Sequence, residues 1–215
     1  MEFESSLADA KQALQLDRNK SNNYLRDGKI LLYTGHLDDA LVVLNKAMAL
    51  DPVNVEAMDK IGELRLARGE YTDAKAAYLR ALQLRPDDQE SLQGQGLGLS
   101  FMLQGEFAPA RSIFEQLKVE DGRPYLMALL QIKQGPSKDA DAVLTAFIKE
   151  HGSEARYVAN LYAVHGQADK AFEWLQRTYV QREDQVYTFK TDPLLNNLHR
   201  DPRFAAMLKK MGLED

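Results

Sequence analysis

The chain of 215 residues contains no cysteine. That absence removes disulfide frameworks, thiol nucleophiles and thiolate metal sites. It fits a reducing cytoplasm, with the periplasm left open if the chain is a fragment. No run approaches the roughly 18 consecutive apolar residues of a membrane-spanning helix, so no membrane insertion is expected. A basic surplus is also lacking: Lys plus Arg number 27 against 32 Asp plus Glu, a net charge of −5. General binding to nucleic acid or an anionic membrane is therefore not expected. The opening Met1-Glu2-Phe3-Glu4 lacks the basic and apolar regions of a secretory leader. Hydrophobic residues at 45% and charged residues at 27% still suffice for a sizeable core.

What the chain has is internal repetition, and a repeat decides the fold before any motif does. Gly28-Lys29-Ile30-Leu31-Leu32-Tyr33-Thr34-Gly35 aligns with Gly62-Glu63-Leu64-Arg65-Leu66-Ala67-Arg68-Gly69 at a spacing of 34. The same register carries Ala40 onto Ala74, Ala47 onto Ala81 and Pro52 onto Pro86. Further turn glycines follow at Gly105, Gly135 and Gly166. Five residues after each turn glycine stands an alanine: Ala40, Ala74, Ala110, Ala140 and Ala171. Seven residues before each stands a small residue: Gly28, Gly62, Gly98, Ala128 and Ala159.

Val55 to Arg68 and Thr72 to Leu84 both show apolar residues at helical spacing. The glycine between them is expected to take a left-handed backbone that ends one helix and reverses the chain. The small residue lets two backbones approach, with Leu44, Tyr78, Phe114, Leu144 and Leu175 filling the space around the crossing. Asp51-Pro52 and Arg85-Pro86 stop the second helix of their units. Each unit is thus an antiparallel helix pair that cannot bury its apolar face alone, and stacking makes the core.

These residues resemble the tetratricopeptide repeat family. The consensus small residues, turn glycine, alanines and proline match at Gly28, Gly35, Ala40, Ala47 and Pro52, and again at Gly62, Gly69, Tyr71, Ala74, Tyr78, Ala81 and Pro86. The consensus tryptophan is replaced by Tyr24, Met58, Gly94, Pro124 and Ala155. The resemblance implies an all-α, right-handed solenoid forming a single domain, with repeats at 21–54, 55–88, 89–120, 121–151 and 152–182. A partial repeat helix at 1–20 precedes them, a capping tail at 183–215 follows, and a longer parent protein is expected. The tail is similar to the segment that closes such regions behind bacterial cyclase, kinase and winged-helix modules. Within it, Asp192-Pro193 and Asp201-Pro202 each read as an N-cap followed by a first-turn proline. Phe204, Met207, Leu208 and Met211 share one helix face that can seal the last repeat.

Catalytic chemistry finds little support. His36, His151, His165 and His199 stand singly, with no second ligand at helical spacing, and read as solvated turn residues. Gly94-Gln95-Gly96-Leu97-Gly98 lacks a phosphate-loop spacing; Gly98 reads as packing and the other two glycines as a soft spot or hinge. From 176 to 212 seven basic residues face four acidic ones, which reads as a solvated capping face. The expected function is a non-catalytic scaffold for a protein or peptide, with no cofactor and no metal; self-association is a further expected mode. The alternative is a regulatory domain at the end of a bacterial signalling enzyme or transcription regulator.

By the same resemblance, the concave groove takes Leu25, Lys29 and Tyr33 from the first repeat and Glu56, Asp59, Lys60 and Glu63 from the second. The third supplies Leu92, Gln95, Leu99, Met102 and Leu103, and the last two Tyr125, Lys133, Arg156 and Asn160. Leu92, Leu99 and Leu103 are read equally as groove or core. On this register the groove is acidic near the second repeat, apolar in the middle and basic towards the end.

Overall fold

The computed structural model describes residues 19–85, 92–118, 122–135, 137–181 and 186–213. The expected N-terminal partial-repeat helix and Pro86 lie outside the described residues. Ten helices run in consecutive pairs: α1 (Ser21–Tyr33) with α2 (Leu37–Leu50), α3 (Val55–Ala67) with α4 (Tyr71–Leu84), and α5 (Leu92–Leu103) with α6 (Phe107–Gln116). They continue as α7 (Arg123–Gln134) with α8 (Ser137–His151), and α9 (Ala155–Val164) with α10 (Ala168–Gln181). Each pair packs on the next, and no strand occurs among the described residues. The architecture is the expected α-solenoid.

The turns explain the pairing. Gly35 sits at φ 85°, its N–H donates to the Leu32 carbonyl at 3.0 Å, and the His36 N–H donates to the Leu31 carbonyl at 2.9 Å. This double closure satisfies carbonyls that a helix end leaves open, and it needs a left-handed residue. Gly69, Gly105 and Gly166 repeat the same pair of bonds. Gly135 does not: it is extended at φ −85°, ψ 162°. Proline follows it at position 136, which forces its neighbour towards extended backbone and has no N–H for the second bond. The left-handed glycine of this unit is instead Gly122, which starts α7.

At every crossing a small residue meets a large one. Ala40, Ala74, Ala110, Ala140 and Ala171 are buried, as are Leu44, Tyr78, Phe114, Leu144 and Leu175. A Cβ on Gly62 would lie 2.7 Å from Tyr78 Cζ, and one on Gly28 2.6 Å from Leu44 Cδ2. Gly96, expected as part of a soft spot, has a tighter reason: its Cβ would fall inside the same Tyr78 ring. Gly98 stands likewise against Phe114, and α5 runs unbroken through all three glycines. Successive units are also tied by polar groups. Asn54 caps α3 by accepting from the Ala57 N–H at 2.9 Å and donates to Ser21, whose hydroxyl donates to the Ala47 carbonyl.

The tail forms two 3₁₀ helices, Val186–Thr191 and Pro193–Leu198, and the helix α11 (Pro202–Met211). Asp192 and Asp201 cap the latter two by accepting from the Leu194 and Arg203 N–H groups, both at 2.9 Å. Phe189, Leu195, Leu198, Phe204 and Met207 form one buried cluster with Ala159, Ala163, Ala171, Phe172 and Leu175 of the last pair. The tail is therefore continuous with the core. Deleting residues 192–215 should uncover that cluster and lower the melting temperature by roughly 10 °C or more, at about 2–4 °C per kcal/mol. Self-association on size-exclusion chromatography should accompany it; an unchanged, monomeric protein would refute the capping role.

Candidate functional site

The first helices of the pairs face inward and, with the tail, line an open-sided cavity of about 460 Å³. Of the residues expected in the groove, Tyr33, Asp59, Lys60, Glu63, Gln95, Leu99, Tyr125, Arg156 and Asn160 line it. Others lie elsewhere. Leu25 and Met102 are only 4% and 1% exposed and belong to the helix-packing clusters, so their side chains point into the core rather than the groove. Lys29 pairs with Glu56, and neither is in the cavity wall; Lys133 is exposed and also outside it. Leu99 does both jobs, lining the cavity while packing against two core clusters, whereas Leu103 packs only against those clusters. The side chain of Leu92 lies outside the described residues.

Several lining residues carried no signal in the repeat register. Tyr78 was legible as a crossing residue, yet its ring also reaches the cavity. Tyr157 stacks on Tyr125 with ring centroids 4.2 Å apart and planes 10° from parallel. Tyr187, Thr188, Thr191, Asp192, Pro193 and Leu194 come from the tail. Asp192 was legible only as an N-cap. Its second oxygen turns to the groove, accepting from Arg156 Nη2 at 3.2 Å and from Asn160 Nδ2 at 3.0 Å. Asn160 Nδ2 also donates to the Tyr125 hydroxyl at 3.1 Å. The basic end of the groove is thus met by the chain's own carboxylate.

At the other end Lys60 Nζ lies 2.6 Å from Glu63, 3.2 Å from Asp59 and 5.9 Å from the Tyr33 ring centroid. Burial pushes its pKa down, but the two carboxylates outweigh that and hold it above the ordinary lysine value. Burial, then the Glu63 charge, pushes the Tyr33 phenol up to about 12. Tyr78 and Tyr125 shift upward for the same first reason, reinforced by Asp59 and Asp192 respectively. All four groups move away from neutrality, the reverse of what a general acid or base needs. Among the described residues, no group of three or more His, Asp or Glu could hold a metal, and no helix is long and apolar enough to cross a membrane. His151 and His36 pair within their own turns with Glu154 and Thr34, and His199 packs on Phe204, whereas His165, expected as a solvated turn residue, is largely buried and reaches back to Asp141 on α8.

Stacked helix pairs around a lined inner cavity define an α-solenoid of helical repeats. Residues 25–89 match the tetratricopeptide repeat family, and the helix pairs that follow continue the same solenoid. It is 26% identical over 167 residues to tetratricopeptide repeat protein 37 of Xenopus laevis, covering 78% of this chain and 10% of that protein. Thus it spans about a tenth of the length of that curated relative. Among solved structures, PilW, a type IV pilus biogenesis factor, superposes with a TM-score of 0.61 at 17% identity, covering 86% of this chain and 89% of PilW. YrrB, described as a TPR protein with an unusual peptide-binding site, gives 0.52 at 18% identity, covering 83% and 95%.

The Asp192, Arg156 and Asn160 network makes a pH-dependent prediction. Asn160→Asp sets a second carboxyl against the buried Asp192. Burial and that charge raise its folded pKa above the ~3.9 of an unfolded aspartate. The variant's stability is then present at low pH and lost as pH rises through the folded pKa. A deficit on the order of 3 kcal/mol at pH 7, shrinking towards pH 4, is expected in urea melts. A deficit independent of pH would contradict this electrostatic reading.

Proposed function

We propose that the chain is a non-catalytic scaffold that takes a segment of another protein along its concave face. The observation that carries this reading is convergence: side chains from the first helices of all five pairs meet around one cavity. Aromatic rings and paired charges suit recognition of a peptide better than bond-making, since they offer stacking faces and hydrogen-bond partners. Asn160 Oδ1, buried with no protein partner, is an acceptor in this network that the chain itself leaves unpaired. A partner with an apolar centre and opposite charges at its ends fits best. Its basic end would lie by Asp59 and Glu63, and its acidic end would take the place of Asp192 at Arg156. The peptide-binding description of YrrB points the same way. A second reading, a regulatory module within a longer protein, draws on the Xenopus relative, of which the matched stretch is only 10%.

Peptide display panned on the folded chain tests the first reading. Gln95 is half-buried at the middle of the cavity wall, so Gln95→Arg fills the groove with a long charged side chain while leaving the core intact. Selected peptides should bind the variant at least tenfold more weakly at an unchanged melting temperature. Equal binding to parent and variant would place recognition on another surface.

A further inference from the structure

The Val186–Thr191 segment packs against both ends of the solenoid, although α1 lies some 150 residues earlier in the chain. The two attachments differ in kind. Towards the last pair it is rooted by Phe189, fully buried beside Leu175, Leu195 and Phe204, and by the adjoining Asp192. Towards the first pair it presents half-buried side chains. Tyr187 meets Tyr33 with ring centroids 4.9 Å apart at 54°, and the stem of Lys190 lies over Gly35. A Cβ at Gly35 would stand 2.6 Å from Lys190 Cε, so the turn glycine also provides the seat for that stem.

This contact bridges the first and last pairs across one side of a groove that is otherwise open to solvent. A partner segment that runs the whole length of the concave face must pass the point where Tyr187 and Lys190 meet Tyr33 and Gly35. Curvature in a solenoid is the sum of small rotations at each interface between neighbouring pairs, so the ends can separate without unpacking any one of them.

We infer that Tyr187 and Lys190, closing on Tyr33 and Gly35, form a latch that holds the two ends of the solenoid together, and that the latch must open before a protein segment can run the full length of the groove. Its consequence for affinity rests on the peptide-binding reading proposed above. Only the open fraction is competent to bind, so apparent affinity is reduced by that fraction, and weakening the latch tightens binding. The latch itself needs no ligand.

The lack of cysteine allows direct measurement. Spin labels on Asn22→Cys and Asn196→Cys, both exposed positions on α1 and on the Pro193–Leu198 helix, report the separation of the ends by pulsed electron resonance. Adding Tyr187→Ala with Lys190→Ala should raise the long-distance population several-fold, with a melting temperature close to that of the labelled parent. Tyr33→Ala, made from the other side of the contact, should do the same. An unchanged distance distribution in both variants overturns the latch. So does a large drop in melting temperature in both, which would make the contact part of the cap. If the ends separate as expected and peptide display panned on the opened variant still selects no binder, the peptide reading falls while the latch stands.

Discussion

Everything in this molecule depends on how closely the two helices of a pair can approach. Where Gly28, Gly62 and Gly98 stand, the facing Leu44, Tyr78 and Phe114 occupy the volume that a Cβ would need. In the last two pairs Ala128 and Ala159 serve the same role opposite Leu144 and Leu175. A large side chain set into a gap left by a small one fixes both crossing and register, because interiors pack too densely to tolerate an alternative. Tyr78 extends the constraint between units, since its ring lies between Gly62 of its own pair and Gly96 of the next. Stacking five such pairs then directs their first helices to one side, where their polar and aromatic residues meet.

The concave face is a consequence of that geometry, and the tail completes it. A solenoid has two ends to cover, and here one segment serves a larger purpose. Phe189 and the leucines behind it cover the last pair, while Tyr187 and Lys190 reach the first. The same segment sets Asp192 on Arg156 and Asn160, matching the basic end of the groove from within. Capping, electrostatic matching and the bridge to the first pair thus share a short stretch of chain.

Helix pairs, crossings and the capping tail were legible in the sequence because each is local or repeats at a fixed spacing. Gly135 shows the limit of reading a repeat by position: with proline after it, the glycine at the expected turn is extended rather than left-handed. Leu25 and Met102 sit at register positions expected to face the groove, yet apolar side chains at the edge of a narrow concave face turn into the packing beside them. Gln95, Tyr125, Arg156 and Asn160, which are polar or amphipathic, stayed at the cavity. The reach of Tyr187 and Asp192 into the groove had no sequence signal. Asp192 reaches back to α9, whereas Tyr187 meets Tyr33 across most of the chain, a contact produced by accumulated curvature rather than by any motif.

The steric constraint at the crossing is tested most directly by Gly62→Ala in chemical denaturation. At an exposed helical position, replacing glycine by alanine stabilises by about 1 kcal/mol. Here the new Cβ meets a Tyr78 ring with no room to retreat, and the variant should lose about 1–3 kcal/mol instead. Combining it with Tyr78→Leu should cost less than the sum of the two single changes, because shrinking the ring relieves the clash. If Gly62→Ala is as stable as the parent or more so, close approach at the small residue is not what holds the helix pairs, and the account fails at its base.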